Sequence, residues 1–137
     1  MASQAITPHF HVAEFDCHDG TKVPQMAMNE LHGLCANYLE PLRAKFGAVL
    51  VHSGYRTTEY NRRIGGARQS FHIYTLGHRW GVAADVECAK GDVDRWWQFI
   101  ARLRRDERDG RGGLGRYPQG GFIHVDNRTY QADWEGP

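Results

Sequence analysis

The sequence lacks almost every feature that would place it in a specialised class of protein. Cysteine is scarce and odd in number, Cys17, Cys35 and Cys88, with no C-x-x-C spacing. That excludes a disulfide framework or a zinc ribbon, leaves room for one bond at most, and favours reduced thiols in the cytoplasm. No apolar run approaches the ~20 residues that span a bilayer, so stable membrane insertion is not expected. Met1-Ala2-Ser3-Gln4 offers neither a basic start nor an apolar stretch, and no signal peptide is expected. An excess of one charge is missing too: 17 Lys+Arg against 16 Asp+Glu leave +1, unlike the clear basic excess of nucleic-acid binders. The one basic cluster, Arg102-Leu103-Arg104-Arg105 with Arg108 and Arg111, is diluted by Asp106, Glu107 and Asp109 and reads as a solvated helix face. The glycine-rich stretch 110–115 matches no P-loop or dinucleotide fingerprint and reads as a loop. Ser53 lacks the G-x-S-x-G setting of a serine hydrolase.

What is present is the composition of an ordinary globular chain, 41% hydrophobic, 12% aromatic and 24% charged over 137 residues. That length buries roughly two-thirds of the unfolded surface and favours a single domain, 1–137, with its own core. Residues 9–24 read as an irregular segment with turns. Met28, Leu31, Cys35, Tyr38, Leu42 and Phe46 recur at threes and fours and predict a helix closed by Gly47, bent or interrupted at Pro41. The run 48–51 suits a buried strand, 58–63 a short helix ended by Gly65-Gly66, and 92–105 a helix capped by Asp92. Stretches 71–74 and 82–86 read as strands joined by a loop over 75–81, and 121–126 alternates as a half-buried strand should. The sum is an α+β fold, helices packed on a mostly antiparallel sheet.

Among eight histidines, those near carboxylates on strands carry the chemistry. His124 and Asp126, two apart, project from one strand face. Asp85 closes the small-residue run Ala83-Ala84-Asp85, where a buried charge is costly unless paired or bound to a metal. Two imidazoles and a carboxylate, with one position left for water, make up a catalytic zinc site. His9, His11, His18, His32 and His52 have no carboxylate at a suggestive spacing and read as structural or exposed. Cys88, three residues past Asp85, belongs to the opposite face and reads as packing.

Several segments in the right order add a resemblance. Ser70-Phe71-His72 followed by Gly81-Val82-Ala83-Ala84-Asp85 resembles the S-x-H…G-x-A-x-D motif of the M15 peptidases. These are the zinc D-Ala-D-Ala carboxypeptidases and L-alanyl-D-glutamate endopeptidases, with a hedgehog/DD-peptidase-like fold. Phe122-Ile123-His124-Val125-Asp126 is similar to that family's closing F-V-H-V-D. Ser53-Gly54-Tyr55-Arg56-Thr57 with Tyr60-Asn61 is similar to its S-G-Y-R…Y-N stretch, and Gly65-Gly66-Ala67 stands where expected. Glu14-Phe15 and Gly20-Thr21-Lys22-Val23-Pro24 resemble its phage-type subgroup.

The resemblance implies Zn2+ held by His72, Asp85 and His124. One departure stands out: the family places seven positions between first histidine and aspartate, whereas His72 and Asp85 are thirteen apart and His78 lies seven before Asp85. An insertion at a hairpin tip keeps both strands in place, which favours His72 over His78. Asp126 is expected as the general base, with orientation of a ligand imidazole as its alternative role. Arg56 resembles the arginine that faces substrate and steadies a developing oxyanion, against a purely structural ion pair. Tyr117 and Trp80 line the cleft or pack in the core. The implied activity is hydrolysis of the peptidoglycan stem peptide, L-Ala–D-Glu-type endopeptidase ahead of D-Ala-D-Ala carboxypeptidase. The implied setting is endolysin-like: a monomer, released by a holin, acting in the periplasm. A non-catalytic cell-wall peptide-binding module on the same fold is the alternative.

Overall fold

The computed structural model describes residues 4–75 and 81–137. His78 and Trp80, and most of the loop expected over 75–81, lie outside the described residues.

A small antiparallel pair, β1 (Ala5–Thr7) and β2 (Phe10–His11), opens the chain. The Glu40 carboxylate closes its turn, accepting from the Thr7 hydroxyl at 2.7 Å and the His9 amide at 2.8 Å. The predicted helix is built as α1 (Met28–Leu34), a π-helical turn over Cys35–Leu39, and α2 (Glu40–Phe46). The expected interruption at Pro41 takes the form of that widened turn. The Glu40 amide reaches back five residues to the Cys35 carbonyl, so the step before the proline, which has no N–H to give, is already out of α register. Gly47 ends the helix at φ 81°, a conformation that favours glycine.

Five strands form the main sheet in the order β3-β4-β6-β5-β7: β3 (Val49–Ser53), β4 (Ala83–Cys88), β5 (Gly112–Tyr117), β6 (Phe122–Asp126) and β7 (Gln131–Glu135). All neighbours are antiparallel except β5 and β7, so the fold is α+β with a mostly antiparallel sheet. Helices α3 (Thr58–Arg63) and α4 (Val93–Arg108) stand where predicted, capped by Thr57 and Asp92 side chains that accept from backbone amides.

Three expectations are corrected. β3 is an edge strand rather than a buried one, with Leu50 60% exposed; a short β-branched run fits either place. Residues 71–74 are turns, not a strand: the Ile73 amide donates to the Ser70 carbonyl and the His72 amide to the Ser70 hydroxyl. Their apolar side chains are buried, which a run of four cannot distinguish from strand burial. The glycine-rich stretch is largely strand β5. Its glycines are there for clearance, since a Cβ on Gly113 would strike the Asp126 carboxylate and one on Gly115 would stand 2.5 Å from the Trp134 indole.

The sheet has two unlike faces. Ala84, Val86, Cys88, Leu114, Ile123 and Val125 join the core with Leu31, Leu34, Leu39, Leu42 and Ile100 from the helices. Each fully buried Leu, Ile or Val among them contributes roughly 1.5–3 kcal/mol by leaving water. By strand alternation, Asp85, Gly113, Gly115, Tyr117, Phe122, His124, Asp126 and Trp134 share the other face. The basic cluster is not wholly solvated: Arg104 is buried, its guanidinium donating to the Gly112 carbonyl at 3.0 Å and to Asp133 at 2.6 Å.

Candidate metal centre

Register brings the first two polar groups together. Asp85 on β4 pairs with His124 on β6, and the carboxylate Oδ1 lies 3.0 Å from His124 Nδ1. His72 arrives from the turn before β4, placing Nε2 3.2 Å from the same Oδ1. One donor atom from each lies within 4.8 Å of the others, and all three residues are buried. His72 and Asp85 therefore meet without the hairpin on which the tip-insertion argument relied.

The outward-facing nitrogens are anchored. A carbonyl only accepts, so His72 Nδ1–H donates to Gly54 O at 2.7 Å, which leaves Nε2 of the neutral ring with a bare lone pair. Burial favours that neutral ring, pushing His72 below the usual histidine pKa despite Asp85 beside it. His124 Nε2 meets Asp126 Oδ2 at 2.7 Å, leaving Nδ1 for Asp85 and His72. Burial opposes charge on His124 as well, yet hydrogen bonds to Asp126 and Asp85 prevail and raise it to about 9. Burial also works against an ionised Asp85, and the two imidazoles outweigh it, holding the carboxyl well below the usual range. The bare His72 lone pair and the ionised Asp85 carboxylate, with His124 Nδ1 beside them, suit a divalent cation, which would displace the His124 proton that Asp85 otherwise accepts.

The S-G-Y-R…Y-N stretch is the frame of this centre. A Cβ on Gly54 would stand 2.7 Å from the Phe15 Cα, and the Tyr55 amide donates to the Phe15 carbonyl at 2.8 Å. That close approach fixes the carbonyl that orients His72. Arg56 donates to Ser53 Oγ and Asn61 Oδ1, each at 3.2 Å, and pairs with Asp85 Oδ2 at 3.5 Å. Arg56 is thus an ion-pair partner of Asp85 and also lines the cleft. Asn61 in turn donates to the Ala67 carbonyl at 2.8 Å.

The expectation of Asp126 as water-activating base meets a different geometry. Its carboxylate is 1% exposed and accepts from His124, the Gly113 amide (2.9 Å), the Arg128 amide (3.0 Å) and the Arg128 guanidinium (2.6 Å). It sits behind His124, on the far side of the ring from Asp85. Despite burial, these donors hold its pKa well below the ordinary range. That geometry suits the alternative role, orientation of His124. Among the described residues no carboxylate other than Asp85 lines the cleft.

The cleft itself, about 480 Å³, is open above the three polar groups and bordered by Arg56, Tyr117, Phe122, Arg128 and Trp134. Arg128, Phe122 and Trp134 were not singled out from the sequence. Arg128 follows the H-x-D segment and could have been suspected as a counter-charge; Trp134, on the unpredicted β7, left no local signal. His9 and His52 do acquire carboxylate partners, Glu40 and Glu87, from 31 and 35 residues away, which no short spacing could reveal.

A cleft floored by a buried two-histidine, one-carboxylate triangle with an arginine beside it defines a candidate mononuclear metal centre of hydrolytic type. The Peptidase M15 profile matches residues 8–126, and the chain belongs to that family: it is a metallopeptidase, of a family whose peptidases act on peptidoglycan. No curated protein and no solved structure matches it. No helix among the described residues is long and apolar enough to cross a membrane.

Proposed function

We propose that the chain is a zinc-dependent, endolysin-like endopeptidase that hydrolyses an L-Ala–D-Glu-type bond of the peptidoglycan stem peptide. The observation that carries the reading is the convergence of His72 Nε2, Asp85 Oδ1 and His124 Nδ1 on one point below an open cleft. Bound zinc supplies a Lewis acid for the scissile carbonyl and a water acidified towards ~7. The protein's own part is positional. Gly54 and Asp126 fix the two rings, Asp85 supplies the negative charge, and Arg56 stands at the Asp85 side, where it can meet a substrate carboxylate or a developing oxyanion.

The endopeptidase preference rests on the resemblance of Glu14-Phe15 and residues 20–24 to the phage-type subgroup. Action in the periplasm after holin-dependent release, as a monomer, belongs to the same proposal. Mass spectrometry of muropeptides after incubation of sacculi with zinc-loaded protein tests it. New amino termini on D-Glu, lost on chelation, are expected. Release of terminal D-Ala alone would replace the endopeptidase with a carboxypeptidase, and intact sacculi would overturn the hydrolase.

A further inference from the structure

Tyr117 and Trp134 form a pair that the metal centre does not need for its own assembly. Trp134 Nε1–H donates to the Tyr117 hydroxyl oxygen at 2.7 Å. An indole N–H can only donate, so the phenol oxygen is the acceptor and its own hydrogen must point elsewhere. Among the described residues the Tyr117 hydroxyl has no other hydrogen-bond partner, and its side chain borders the cleft. The ring is fixed from both sides. It stacks on Phe122 at 4.6 Å and 13°, and Gly136 abuts it so closely that a Cβ there would stand 2.6 Å from the ring. Trp134 is fixed as well, tucked over Gly115 with its ring 4.9 Å from that of His124. Two glycines thus give way to one donor pair.

The placement is complementary to Arg56. Arg56 follows β3 and Tyr117 ends β5, with Asp85 and His124 on the strands between them. We infer that Tyr117 is a substrate-binding hydrogen-bond donor, its O–H aimed into the cleft by Trp134, and that it holds a carbonyl oxygen of the bound peptide on the side opposite Arg56. Trp134 acts through Tyr117 and is a positioning residue. The inference rests on the peptide-hydrolase reading above.

Binding and turnover of a soluble stem-peptide fragment test it, using Tyr117→Phe, Trp134→Phe and the double variant. Tyr117→Phe keeps the stack and removes the hydroxyl, which is both the donor and the acceptor of the Trp134 N–H; Trp134→Phe keeps an aromatic ring and removes the N–H together with part of the indole. Calorimetry on metal-free protein should show affinity falling roughly fivefold for Tyr117→Phe, the scale of one net hydrogen bond. Zinc-loaded protein should lose about tenfold to a hundredfold in kcat/KM if the same contact tightens as charge develops. Trp134→Phe should lose part of each, and the double variant should be no worse than Tyr117→Phe. Zinc content and Tm should stay those of the wild type in Tyr117→Phe. Unchanged affinity and kcat/KM in Tyr117→Phe, or independent and multiplicative losses in the double variant, would overturn the inference while leaving the hydrolase intact. A wild-type protein that binds peptide without cutting it would sink the proposed activity and leave the donor role measurable. Failure of the wild type to bind the peptide would sink both.

Discussion

The two faces of the main sheet are built from the same strands and do opposite things with ionisable groups. On β4, Cys88 faces the helices and Asp85, three residues earlier, faces the cleft. Burial raises the Cys88 thiol to about 12 and keeps it neutral, whereas two imidazoles keep the equally enclosed Asp85 ionised. Burial alone therefore does not decide charge; the partners on each face do. One face spends its burial on stability, and the other holds charge in place for chemistry.

The sharpest break in that comparison is removal of the centre. Asp85→Ala or His72→Ala should cut peptide hydrolysis about a thousandfold or more, because a bound ion is worth several kcal/mol and about 1.4 kcal/mol is tenfold in rate. Bound zinc, measured by atomic emission, should fall with it, while far-UV circular dichroism stays that of the wild type. Wild-type levels of both activity and zinc in Asp85→Ala would remove Asp85 from the site.

The matching change on the other face is Ile123→Ala, next to His124 but turned to the helices and fully buried. It should cost about 2–5 kcal/mol in a denaturant titration, the usual loss from a large-to-small core substitution. At a temperature where the variant is folded, kcat/KM should stay close to wild type. A loss of activity out of proportion to the unfolded fraction would mean that the faces are coupled.

These strands show why the sequence was legible in part. His124 and Asp126 could be read from period-two spacing, and α4 with its Asp92 cap from local rules. Asp85 was visible as a charge ending a small-residue strand. The orientation of each imidazole was not, because it depends on Gly54 and Asp126 contacts that form only on folding. Glycines 112, 113 and 115 suggested a loop because nothing local shows the Asp126 and Trp134 groups that need their space. β7 escaped because it is a parallel partner reached by a return connection, and Arg128 because its worth lies in saturating Asp126.

Asp126→Asn distinguishes the two roles weighed for that residue. An amide of the same shape keeps the strand but loses the charge that binds Arg128 and His124. If Asp126 orients His124, zinc affinity and kcat/KM should fall together by about 10–100-fold. A far larger loss of kcat at full zinc occupancy would restore it as the base. Arg128→Met should move in the same direction, since it removes the guanidinium that neutralises a fully buried carboxylate.

The smallest expected effect is on the helix-side thiols. Burial raises Cys35, like Cys88, to about 12, while an unfolded chain's thiol ionises near ~8.5. Between these values the unfolded state releases a proton that the native state keeps. The contribution is therefore fully present below about pH 8.5 and is lost as pH rises towards 12. Iodoacetamide at pH 8 should label Cys35 and Cys88 slowly in the native protein and rapidly in urea, and Cys88→Ala should flatten the alkaline fall in stability between pH 9 and pH 11 (about 8.5 to 12 being the full window). Rapid native labelling of Cys88 would show that β4 opens on its helix side, and the contrast between a stability face and a chemical face would then fail on the strand that carries Asp85.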